Sequence, residues 1–139
     1  MASKFQHITE LYTDTLLHIT DSHASWTGFL RAACYNYKCP FDEQVLIYAQ
    51  RPDATAVLAL DKWNRQFGRW VNKGATGIAV FDDAKGKGQL KHYFDVSDTH
   101  ATHRSRPLPI WTMEERFAPE VIEALENTFG DLAEKENLV

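Results

Sequence analysis

The chain has 139 residues, 44% of them hydrophobic and 12% aromatic, which is enough for one domain to bury a core unaided. A net charge of −4 argues against a generic nucleic-acid binder, and two cysteines, Cys34 and Cys39, are too few for a zinc site of their own and suit packed thiols in a reducing compartment. No apolar run approaches the roughly 18 residues of a membrane span, and the opening MASKFQHITE lacks the basic-then-apolar pattern of a secretion signal, so a cytoplasmic protein without membrane contact is expected.

Phe5, Ile8, Tyr12, Leu16 and Ile19 recur at steps of three and four, predicting an amphipathic helix over residues 4 to 20. Ser22 can cap a second helix carrying Trp26, Phe29, Leu30, Ala33 and Tyr37, which Pro40 interrupts. The run DEQVLIYAQRP opens a third, with Asp42 as N-cap, Glu43 in the first turn and Pro52 beyond its end. Val45 to Ala49 surround its circumference, so this helix is expected to be central and nearly enclosed.

The period then changes. ATAVLAL (54 to 60) reads as a short strand, and Asp61 as the cap of one or two helical turns ending at Gly68. RWVN and GIAVFD flank KGAT, which predicts two strands joined by a glycine-containing hairpin. DAKGKGQ is a flexible basic turn, LKHYFDV another strand, and SDTHATHRSRPLPIW a long polar loop. Pro119 at a first helical position, Val121, Ile122, Leu125 and Phe129 on one face, and Gly130 at the end define a last helix. The expected class is α+β, with helices packed on a small antiparallel sheet, in one domain spanning residues 1 to 139.

The acidic total hides a basic middle. Residues 61 to 92 hold seven Lys or Arg against three Asp, net +4, and the remainder carries −8. On a helical wheel Lys62, Arg65 and Gln66 project to one side of the short helix and Trp63 and Phe67 to another; Arg69 would extend the basic stripe, and the hairpin tip adds Lys73 beside Gly74. A positive groove that follows phosphates, with rings exposed for base stacking, is how single-stranded nucleic acid is held without regard to sequence. Glycines let backbone approach a phosphate and offer N–H donors. The candidate nucleic-acid-binding residues are therefore Lys62, Arg65, Arg69, Trp70, Lys73 and Gly74, with Lys85 and Lys87 on the following turn. Trp63 and Phe67 have the spacing of core residues. Trp70 can either pack or stack, and its position between Arg69 and the glycine turn favours stacking.

The stretch YAQRPDATAVLALDKWNRQFGRWVNKGATGIAVF resembles the N-terminal domain of ArdC-type antirestriction proteins. That pattern, a short aromatic-bearing helix, a glycine and a V-x-K-G-x-x-G hairpin, is matched by Trp63, Phe67, Gly68, Val71, Lys73, Gly74 and Gly77. The chain as a whole is similar to the opening segments of large multidomain proteins of conjugative elements, with the core of the resemblance at residues 44 to 98. The resemblance implies sequence-tolerant binding of single-stranded DNA in a mobile-element protein, with further domains of a longer protein as additional partners. The H-E-x-x-H motif of the ArdC metalloprotease-like domain does not occur here.

Asp98, His100 and His103 in DTHATH form the only metal-like cluster, without an apparent fourth ligand, and the plainer reading is a polar loop bonded to nearby backbone. No phosphate-binding loop, nucleophile elbow or paired carboxylates appear. The expectation is a non-enzymatic DNA-binding module without metal or cofactor; the alternative is a protein-interaction or tethering domain that uses its acidic helices.

Overall fold

The structure, a computed structural model, describes residues 3–108 and 115–129. The chain divides into two compact units, Met1–Leu108 and Pro109–Val139. The first is α+β. Helix α1 (Lys4–Ile19) starts at a reciprocal cap in which Gln6 N–H donates to Ser3 Oγ at 3.2 Å and Ser3 N–H donates to Gln6 Oε1 at 2.8 Å. Helix α2 (His23–Tyr35) is capped by Ser22, as its sequence predicts. Helix α3 (Phe41–Gln50) has Pro40 rather than Asp42 at its N-cap; Asp42 sits in the first turn and accepts the N–H of Glu43 at 2.9 Å.

Helix α3 is the centre of this unit, packed against α1, α2 and the sheet. Leu46 and Ile47 join Ile8, Ala54, Ile78, Ala79 and Val80 in one core cluster, while Val45 joins Ile19 and Phe29 in another, so one helix stitches both. The sheet has the order β1 (Val57–Leu58), β4 (Leu90–Asp95), β3 (Ile78–Phe81), all antiparallel, with Ile78 opposite Tyr93 and Val57 opposite Asp95. Strand β3 is an edge, and Gln50 covers it: its Nε2 donates to Ala79 O at 2.8 Å and its Oε1 accepts Ala79 N–H at 3.0 Å. Glu43, buried, accepts the Tyr93 hydroxyl at 2.6 Å and pairs with Lys91 at 3.2 Å. Burial first, then the Glu43 hydrogen bond, pushes the Tyr93 phenol up to about 12. Burial beside Glu43 likewise pushes the Cys39 thiol up to about 11, so it packs as a neutral group. Cys34 is exposed, against the packed thiol expected there, because α2 buries only its Phe29 side.

The strands flanking KGAT do not pair with each other. Strand β2 (Trp70–Val71) pairs with β5 (Thr99–His100), a two-residue strand inside the stretch expected to be loop, and β3 pairs with β4. The glycine-containing hairpin is therefore the β3–β4 one, whose turn holds Gly86 and Gly88 at φ +104° and +80°. Helix α4 (Leu60–Phe67) begins after Ala59, with Asp61 in its first turn rather than at the cap.

In the second unit a 3₁₀ turn (Glu115–Phe117) leads into α5 (Ala118–Phe129). Pro119 is its second residue, where the missing N–H still removes no helical bond. Val121, Ile122 and Leu125 are exposed. Gly130, the expected terminator, lies outside the described residues.

Asp95 ties the end of β4 to the segment before β1. It is 2% exposed and accepts the N–H groups of Thr55 (2.9 Å) and Ala56 (3.1 Å) on Oδ1, and the N–H and hydroxyl of Ser97 on Oδ2. Burial alone would raise its carboxyl, but the bonds from Ser97, Ala56 and Thr55 outweigh it and hold the group below its ordinary 3.8. Asp95→Ala leaves buried donors without a partner and should cost about 2–4 kcal/mol of stability. Because the folded value is depressed, the carboxylate's contribution is complete above the ordinary value and disappears as pH falls through the folded one. Denaturant melts should thus show the gap between the wild type and Asp95→Asn constant near neutrality and narrowing below pH 3.8. A gap that widens on acidification would contradict this.

Candidate nucleic-acid interface

Helix α4 presents the two faces expected of it. Trp63 is fully buried and its indole Nε1–H donates to Phe94 O at 2.8 Å, while the half-buried Phe67 ring lies against it at 5.7 Å. Lys62 and Arg65 are exposed on the other side. The helix ends at Gly68 in the left-handed conformation, φ +62°, with the Arg69 N–H returning to Trp63 O at 2.9 Å.

Gly68 is also a point of close approach. A Cβ there would lie 2.4 Å from Arg104 O. Its carbonyl accepts the hydroxyls of Thr102 (2.6 Å) and Ser105 (3.0 Å), and the Arg106 N–H donates to Phe67 O at 2.9 Å. The last carbonyls of α4 are thereby satisfied from a segment more than thirty residues away. This docking brings Arg104 and Arg106, both exposed, beside the end of α4. Sequence reading passed over this pair; its signal was THRSRP, where hydroxyls able to cap a helix alternate with bases.

The next residues form the β2–β5 ribbon. Trp70 stands opposite His100 and Val71 opposite Thr99. With a period of two, Trp70, Asn72 and His100 share one face and all three are exposed, Trp70 by 54%. Thr99, buried on the opposite face, is held by Arg69, whose Nε–H donates to Thr99 Oγ1 at 2.8 Å and Nη2–H to Thr99 O at 3.2 Å. The Asn72 N–H donates to Asp98 O at 2.8 Å, and Asn72 Oδ1 lies 2.7 Å from His100 Nδ1, within hydrogen-bond distance. The turn after β2 exposes Lys73 and Gly74. Gly74 is required by its φ of +86°, since nothing lies near its missing Cβ. Gly77 serves packing instead, because a Cβ there would meet His92 Cβ at 3.0 Å.

The fold thus gathers Lys62, Arg65, Arg69, Trp70, Lys73 and Gly74 on α4 and the ribbon, and adds Arg104 and Arg106. Over residues 60–76 and 99–108 these six bases face a single carboxylate, Asp61. Arg69 differs from the other five in being half-buried and already engaged. Lys85 and Lys87 are exposed but lie on the turn that enters β4, whereas the ribbon follows its exit. Six residues of strand separate the two ends, roughly 17 Å at about 3.4 Å per residue.

The DTHATH residues have other employment. Asp98 Oδ2 accepts from Arg51 Nη1 at 2.6 Å, and Arg51 also bonds Ser97 Oγ and Asp53. His100 belongs to the ribbon and His103 is exposed. Among the described residues no group of three or more His, Cys, Asp or Glu side chains could hold a metal ion, and no helix is long and apolar enough to cross a membrane. An open groove of about 370 Å³ between α1 and α3, lined by Leu11, Asp14, Thr15, His18, Tyr48, Ala49 and Pro52, shares no residue with the ribbon.

Comparison with known proteins yields no match to a family model, to a curated protein or to a solved structure.

The docked loop supplies a direct test of this geometry. Gly68→Ala combines left-handed strain of about 1–2 kcal/mol with a contact that no relaxation of a methyl group can avoid, so it should lower the melting temperature and speed tryptic cleavage after Arg104. Gly74→Ala, with open space around it, should cost only the conformational part. Unchanged melting and cleavage in Gly68→Ala would mean that the loop is not held against α4.

Proposed function

We propose that the chain is a non-enzymatic module that binds single-stranded DNA without strong sequence preference, through the exposed face of the β2–β5 ribbon. The observation that carries this reading is Trp70. An indole more than half exposed contributes little to folding, yet here it is fixed on a strand whose other face is clamped by Arg69 and Thr99. A rigid exposed ring is a platform on which a base can stack, at about 1–3 kcal/mol per base. Lys73, Lys62, Arg65, Arg104 and Arg106 are the phosphate contacts, and the Lys73–Gly74 turn lets backbone amides approach the strand. Arg69 acts by positioning β5. Lys85 and Lys87 are left out of the interface on account of their place at the other end of β4.

The resemblance to ArdC-type N-terminal domains supports the same substrate class and the same setting, a cytoplasmic protein of a mobile element with other domains of a longer chain as partners. Stacking also separates DNA forms: a phosphate-tracking surface alone would accept duplex, whereas a stacking platform needs unpaired bases.

Fluorescence anisotropy with one oligonucleotide, single-stranded and annealed, should show the single strand bound more tightly. Trp70→Ala should lose affinity at an unchanged melting temperature. Lys73→Gln and Arg104→Gln should each reduce the salt slope by about 0.7, and Lys85→Gln with Lys87→Gln should leave it as it was. Equal affinity for both DNA forms, or a Trp70→Ala protein that binds normally, would refute the stacking site.

A further inference from the structure

The negative charge of the chain lies in its second unit. Residues 109–139 hold eight Asp or Glu against two Lys or Arg, net −6, whereas residues 1–108 hold eleven against thirteen, net +2. Helix α5 carries Glu120, Glu123 and Glu126 and no base. Its apolar residues form a stripe open to solvent: Val121 and Leu125 stand four apart and Ile122 three before Leu125, all exposed, Ile122 by 53% and Leu125 by 52%. Phe117, exposed in the 3₁₀ turn, prolongs the row by another step of four, with the Arg116 guanidinium 4.6 Å over its ring.

A helix of 12 residues is at the lower limit of what holds in water by itself, about 12–15 residues, so its stability depends on covering that stripe. Charge selects the cover. Pairing α5 with α5 of a second copy would set −6 against −6, and nucleic acid or an anionic lipid surface is repelled in the same way. We infer that α5 is a docking helix for a partner protein: Phe117, Val121, Ile122 and Leu125 seat in an apolar groove whose rim carries Lys and Arg. Laying the apolar face of an amphipathic helix into a groove is a recurrent mode of recognition. With about 3.6 residues per turn, Glu126 borders the stripe beside Ile122, while Glu123 falls on the far side. Glu126 is therefore the carboxylate that meets the rim, and the remaining negative charge steers the encounter. The inference is independent of the DNA reading, which uses no residue of α5.

The probe is a fluorescein-labelled helical-hairpin peptide, two helices of about four turns each with leucines at steps of three and four and lysines elsewhere, titrated with the intact protein. It should bind, more weakly as salt is added, and amide hydrogen exchange over residues 118–129 should slow on binding. The same hairpin with glutamate in place of lysine should not bind. Leu125→Ala, which keeps a good helix former, should weaken binding about tenfold, as loss of a central apolar contact does. Glu126→Gln should weaken it several-fold, and Glu123→Gln, with the same change of net charge, far less. Circular dichroism checks the helix of each variant, and the comparison of the two Glu→Gln proteins carries the test if Leu125→Ala loses structure. Absence of Lys-hairpin binding, equal binding of both hairpins, unchanged exchange in α5, indifference to a folded Leu125→Ala, or equal losses at Glu123 and Glu126 would overturn the inference. So would a concentration-dependent dimer in sedimentation that Leu125→Ala abolishes, which would make a second copy the occupant.

Discussion

Asp95 is the constraint on which the placement of every candidate residue depends. A carboxylate 2% exposed is tolerable only if its oxygens are saturated, and the donors that saturate it come from Thr55, Ala56 and Ser97. Satisfying it fixes where the chain leaves β4 relative to the segment entering β1. Arg51 extends the same knot by gripping Asp98 and Ser97. From that fixed exit the chain has only to continue through Thr99 and His100 to lie beside β2, and on through Thr102 to Arg106 to reach the end of α4. Trp63 sets the other boundary, since its buried ring and its bond to Phe94 O hold α4 against β4.

Between these two anchors, the ribbon divides its side chains by function. The inward face satisfies the fold through Thr99 and the Arg69 guanidinium. The outward face, Trp70 with Asn72 and His100, is not needed by the core. The division explains why an arginine and a tryptophan adjacent in sequence carry different roles: alternate residues of a strand point to opposite sides, so Arg69 reaches into the structure and Trp70 out of it. Around the ring, Asp61 is the only carboxylate that residues 60–76 and 99–108 carry against six bases.

Much of this was legible in the sequence wherever the signal was local. The three- and four-residue spacing of Ile8, Tyr12, Leu16 and Ile19, the unbroken apolar run of α3, and Gly68 as a helix terminator all reflect short-range physics that the fold keeps. Pairing was not legible. KGAT carries genuine turn chemistry at Gly74, but the partner of β2 is about thirty residues away, and β5 is two residues among serines, threonines and histidines with no periodicity to announce it. For the same reason Arg104 and Arg106 were hidden, because only the hydroxyl-to-Gly68 bonds bring them to α4. The caps at Asp42 and Asp61 were each placed two residues late, since a carboxylate in the first turn stabilises a helix without being its boundary.

The most direct measurement is a titration of isotope-labelled protein with a short thymidine oligonucleotide, following backbone amide and indole shifts by nuclear magnetic resonance. The account predicts the largest changes at the Trp70 indole, at Asn72 to Gly74, at His100 and from Thr102 to Arg106, with the Trp63 indole and the Lys85–Gly88 turn unmoved. Shifts concentrated on that turn or on α2, with the Trp70 indole unchanged at saturation, would contradict it.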